Sequence, residues 1–116
     1  MAKRMLMLCV VLAFGGCAAI AIPAASLERN EASMRAAEEV GAEGVPGARL
    51  HLQMARDQTL SARRLAESGD DRALVMLARA GSDAELAVGM AREASVHADA
   101  LKAAEDLKAV KARGER

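Results

Sequence analysis

Residues 72–101 read RALVMLARAGSDAELAVGMAREASVHADAL. Within this stretch Ala73, Leu77, Ala80, Ala84, Ala87, Ala91, Ala94, Ala98 and Leu101 recur at alternating spacings of four and three, the repeat of an apolar seam along one side of a helix. One stop signal interrupts it. Gly81, Ser82 and Asp83 can end one helix and start another, because Ser82 with Glu85 three places on completes a capping box. A true break resets the phase of the seam, and here the phase is kept. The pattern therefore predicts one helix from 71 to about 112, bent at Gly81 if anywhere.

Outward from this seam the rest of the fold follows. On the N-terminal side, Ala48, Leu52, Ala55, Thr59, Ala62 and Ala66 form an answering stripe at the same spacing, which predicts a helix over 47–68. Gly69 supplies a left-handed residue at its end, and Asp70 or Asp71 caps the next helix. So short a link forces an antiparallel hairpin. A first helix is expected over 26–40, with Ser26 as its N-cap, Leu27, Met34 and Ala37 turned inward, and Glu31, Arg35 and Glu39 laddered on the wet side. Gly41, Gly44, Pro46 and Gly47 mark the connection to the second helix. After residue 25 there are few β-branched residues and no alternating runs, while Ala, Leu, Arg, Glu and Met dominate. The expected fold is all-α: an antiparallel helical hairpin or three-helix arrangement with a long C-terminal helix. Alanine along the seams lets helix axes approach toward about 8 Å. It also buries little area, so the core is expected to be thin.

The unequal helix lengths have a consequence. Some forty residues rise roughly 60 Å, whereas the second helix reaches only about 33 Å. The third helix must overhang beyond about Val96, leaving Leu101, Ala104, Leu107 and Val110 uncovered as a contact surface for a partner protein or for self-association. The plainer alternative is that Lys102, Glu105, Asp106, Lys108 and Lys111 simply solvate a fraying end.

The N-terminus bears on location. Lys3 and Arg4 precede residues 5–14, a run without charge that ends in Gly15, Gly16 and Cys17. A basic start, a short apolar run and small residues before a possible cut are the layout of an export signal. Phe14-Gly15-Gly16-Cys17 resembles a bacterial lipobox, with Phe where Leu is commonest. The resemblance implies cleavage between Gly16 and Cys17 and a diacylglyceryl thioether on Cys17. Residues 1–16 are then the signal peptide, 17–25 the lipid anchor and tether, and 26–113 the helical domain. Two ester-linked chains with an acylated amine exceed the two hydrophobic signals that stable anchoring takes. Ala18 after the cysteine resembles the proteobacterial signal for the outer membrane. Two alternatives stay open: an uncleaved anchor over 5–22, near the lower length limit for a spanning helix, or ordinary cleavage after Ala21 or Ala25. All three put the rest of the chain outside the cytoplasm. With Cys9 removed and Cys17 capped, no disulfide is expected.

Composition narrows the chemistry. The 116 residues carry sixteen basic and sixteen acidic side chains. Loss of Lys3 and Arg4 leaves fourteen basic against sixteen acidic, which gives no electrostatic footprint for a polyanion. Phe14 is the only aromatic, so stacking on bases or sugars is unavailable beyond the signal, and nucleic acid is not an expected partner. His51 is expected opposite Val88, which sets His97 about 13 Å further along, and neither has metal-ligand spacing around it. Glu38/Glu39, Asp70/Asp71 and Glu105/Asp106 are adjacent pairs that point apart on a helix. Ser33, Ser61, Ser82 and Ser95 lack a nucleophile elbow, and Gly41-Ala42-Glu43-Gly44 lacks the lysine and the strand of a phosphate loop. Neither catalysis nor a cofactor is expected.

The Pro46-to-Gly69 segment, with Ala48-Arg49-Leu50 and Ala62-Arg63-Arg64-Leu65-Ala66 leading into Ser68-Gly69-Asp70, then Ala78-Arg79-Ala80 and Asp83-Ala84-Glu85-Leu86-Ala87, resembles the bacterial lipoproteins carrying the domain of unknown function 4398. The resemblance covers most of the chain after the signal and implies envelope location and helical form. The expected role is a lipid-anchored, periplasm-facing structural or protein-interaction element. A murein-lipoprotein-like spacer is a weaker fit, because Arg113-Gly114-Glu115-Arg116 lacks a terminal lysine for wall attachment. A helper subunit resembling TPR modules is the third reading, although one hairpin is too few for a solenoid.

Overall fold

The structure, a computed structural model, describes residues 18–115. Gly16 and Cys17, the expected cleavage and lipidation residues, lie outside them. Helix α1 spans Ala24–Glu39, a single 3-10 turn follows at Ala42–Gly44, α2 spans Pro46–Glu67 and α3 spans Arg72–Gly114. Among the described residues there is no strand.

Each helix end has a local cause. α1 starts earlier than expected because Pro23, not Ser26, is its N-cap. The Pro23 carbonyl accepts the N–H groups of Ser26 and Leu27 at 3.0 and 3.2 Å. Proline holds the preceding residue out of the helical region, and Ala24 and Ala25 are strong helix formers. Gly41 ends the turn after α1 with φ 83°, a left-handed conformation that costs glycine nothing. Pro46 occupies the first position of α2, where its missing N–H is no loss. At the other end of α2, the N–H of Asp70 donates to Leu65 O at 2.9 Å and that of Gly69 to Ala66 O at 3.0 Å, the paired bonds of a Schellman turn. Gly69, at φ 75°, is the left-handed residue this turn requires.

Helix α3 is continuous through Gly81. Its glycine is explained by a neighbour, not by a break. The Asn30 side chain of α1 is buried against α3 and donates from Nδ2 to the Leu77 carbonyl at 2.7 Å. A Cβ on Gly81 would lie 2.6 Å from Asn30 Oδ1. Glycine leaves room for a polar side chain to press on the helix backbone, and that buried amide thereby has a partner.

All six residues of the α2 stripe are buried. So are Ala73, Leu77, Ala80, Ala84, Ala87 and Ala91 of α3. The apolar core of the described residues thus consists of eleven alanines and two leucines, Leu52 being the largest fully buried side chain. Around Leu52, Ala87 and Ala91, the partly buried Met34, Val40, Val45, Val88 and Met90 close the upper end of the body. α1 packs chiefly on α3. It contributes Ala37 and Asn30 as buried residues, while Leu27 and Met34 are only half-buried.

Burial along α3 then stops. Ala94 is half-buried, and Ala98, Leu101 and every described residue from Ser95 onward are exposed. The final twenty residues of α3 form an arm about 30 Å long that stands clear of α1 and α2. The overhang thus begins where the helix lengths predict.

Candidate functional site

Two features are placed at opposite ends of the molecule. The first is the segment 18–23, which is not helical. It runs against the α2–α3 turn, where the Ile20 N–H donates to Ala66 O at 2.9 Å. The carbonyl oxygen of Ala18 lies 2.7 Å from where a Cβ on Gly69 would be. Gly69 is therefore constrained twice, by its left-handed backbone and by the close approach of the tether. No helix of the described residues is long and apolar enough to cross a membrane.

The same turn carries a local ion pair. Asp70 accepts the backbone N–H of Arg72 at 3.0 Å and its guanidinium through both carboxylate oxygens. The side-chain bonds from Arg72, then the backbone bond, hold the Asp70 carboxyl below the usual range, and the same pairing raises Arg72. Asp71 occupies the N-cap position of α3 and makes no side-chain capping bond. Asp70 performs the capping.

The second feature is the arm. Leu101, Leu107 and Val110 are 56%, 55% and 63% exposed, Val96 is 68% exposed, and Ala104 is exposed as well. The four expected contact residues are thus uncovered, and helix phase distributes them around the arm. Leu101, Ala104, Leu107 and Val110 are spaced by threes, so each step falls back about 60° around the helix, and Leu101 and Val110 end on opposite sides. Val96, Ala100, Ala103, Leu107 and Val110 alternate spacings of four and three and share one face. That face is turned about 140° from the buried seam, as the five-residue step from Ala91 to Val96 requires. At its root Val45, Met90, Ala94 and Val96, with Arg92 and Glu93 among the other lining residues, border an open, mainly apolar groove of about 810 Å³.

The histidines are not together. His51 Nδ1 is 2.7 Å from Asp83 Oδ1, and Gln58 donates to the other Asp83 oxygen at 2.7 Å. The Gln58 carbonyl oxygen is buried without a partner. His97 sits on the groove at the root of the arm. Among the described residues no cluster of histidine, cysteine and carboxylate groups has the arrangement of a metal site. The expected Glu31–Arg35–Glu39 ladder is replaced at its first member, because Glu31 reaches across to Arg63 of α2 at 2.7 Å. Arg56 likewise joins α2 to Glu38 and Glu43, and these bonds raise its own pKa, the one to Glu38 most.

Neither the protein-family models, nor the curated proteins, nor the solved structures yield a match to this chain.

Proposed function

We propose that the chain is a lipid-anchored envelope protein whose long helix presents a contact arm away from the membrane, with no catalytic step. In this reading Cys17 carries the lipid after cleavage at Gly16, the protein faces the periplasm, and the outer membrane is the host bilayer. Membership among the lipoproteins with the domain of unknown function 4398 belongs to the same reading. The observation that supports it is the placement of the tether: Ala18 and Ile20 dock on the Gly69 turn, at the end of α3 opposite the arm. A lipid on Cys17 would hold that turn near the bilayer. The arm would then reach outward, where its exposed apolar face meets an envelope protein or another copy of the chain.

The test is mass spectrometry of the mature N-terminus from membrane fractions, with Cys17→Ala as the control. The expected result is a chain beginning at acylated Cys17, and a variant that remains unprocessed. An unmodified, water-soluble native protein would remove the basis of the reading.

A further inference from the structure

The arm's partner is left open above, and its own sequence narrows the choice. Its exposed face carries three large and three small residues along the helix: Val96, Ala100, Ala103, Leu107, Val110, Gly114. If a second arm lies antiparallel, the four-and-three repeat sets Ala100 across from Val110, Ala103 across from Leu107, and Val96 across from Gly114. Every layer then pairs a large residue with a small one, which is how facing seams interdigitate without voids. A parallel pair would instead stack alanine on alanine and leucine on leucine.

Charge follows the same polarity. The first half of the paired stretch, residues 96–105, holds Asp99 and Glu105 against Lys102, whereas the second, residues 106–114, holds Lys108, Lys111 and Arg113 against Asp106. Antiparallel overlap sets the half with an acidic excess on the half with a basic excess. At the flank of the seam it brings Asp99 to Arg113 twice, once for each strand of the pair. One like-charge contact arises at the centre, Asp106 against its copy, and Lys102 one turn away on the same helix lies beside it. The groove at the arm's root extends the apolar face to Val45 and Met90, where the partner's tip would end.

We infer that the arm self-associates with the arm of a second copy, antiparallel, in a two-fold symmetric dimer with the two hairpin turns at opposite poles. This takes the arm as a contact surface from the reading above and names its partner; because copies standing out from one bilayer have parallel arms, the antiparallel partner is a copy anchored in a facing membrane. The interface is isologous, so one patch serves both copies. It is short and alanine-rich, so the dimer is expected to be reversible and concentration-dependent.

The test uses the full chain in detergent micelles, with Cys9 and Cys17 replaced by serine and new thiols introduced as Ala100→Cys or Val110→Cys. Under mild oxidation a mixture of the two variants is expected to form the mixed disulfide, while each variant alone stays largely monomeric. Asp99→Arg in both partners should lower the mixed disulfide about tenfold, and Asp99→Arg with Arg113→Asp should restore it. Disulfides as abundant in the single-variant samples as in the mixture would mean a parallel pair and would overturn the inference. So would no disulfide in any sample at high protein concentration. An envelope protein crosslinked to the arm, with no mixed disulfide, would overturn it too while leaving the contact-arm reading standing. A strong mixed disulfide beside an unmodified native Cys17 would support the dimer and remove the lipid reading.

Discussion

The body and the arm belong to one continuous helix, yet they are held by different physics. Between Ala73 and Ala91, α3 is helical because every third or fourth residue is buried against α1 and α2. From Ser95 to Gly114 none of the described residues covers it. There the helix depends on intrinsic propensity and on its covalent continuity with the body. An isolated helix of that length is marginal in water. The body supplies the nucleus from which it propagates.

The sharpest way to break the comparison is to remove the same side chain from each region. Leu52 is the one large, fully buried residue of the body, so Leu52→Ala is expected to cost about 3 kcal/mol, enough to unfold much of so thin a core. Leu107→Ala should change monomer stability by less than about 0.5 kcal/mol. Urea titrations of both variants at low protein concentration measure the difference. Next in size is Gly69→Ala, expected to cost about 1–2 kcal/mol through its left-handed backbone. It also pushes on the Ala18 carbonyl, so increased protease access at residues 18–23 should accompany the lost stability.

Two glycines within α3 sharpen the contrast further. Gly89 faces open space, while Gly81 faces Asn30. Gly89→Ala should therefore stabilise by about 0.5–1 kcal/mol. Gly81→Ala should lose that gain by displacing the Asn30 amide from the Leu77 carbonyl, and should recover it when Asn30→Ala is made as well. A double-mutant cycle in which the two changes simply add would contradict the contact. The smallest effect is electrostatic. Asp70 has its carboxyl lowered by Arg72, so its contribution is present above the ordinary aspartate range and fades as pH falls through the lower folded value. Acid unfolding of Asp70→Asn should show a weaker pH dependence in that acidic window, and the two proteins should converge below it.

The seams were legible because alanine and leucine at strict spacing leave few other arrangements. Each residue of the α2 stripe, and the α3 stripe as far as Ala91, is buried where the pattern predicts. The overhang followed from helix lengths alone. Asn30 was not legible, because a polar residue on a short helix reads as solvent-facing. Its cue, Gly81, reads equally well as a stop signal until the partner side chain is seen. The docked tether was hidden for a related reason: Ala18, Ile20 and Ile22 continue the apolar run before them, so hydropathy alone does not separate a strap on the turn from an extension of the preceding segment. The arm's face is harder to read, because the conspicuous leucine and valine at threefold spacing wind around a helix, whereas the four-and-three set includes the less conspicuous Ala100 and Ala103.

Hydrogen exchange on the full chain, read amide by amide along α3 at low and high protein concentration, tests the division most directly. In dilute solution, amides between Ala73 and Ala91 should exchange only through unfolding of the body, and those from Ser95 to Gly114 far faster through local fraying. Raising the concentration should slow the arm alone. Equal protection along the whole of α3 in dilute solution, independent of concentration, would contradict the account.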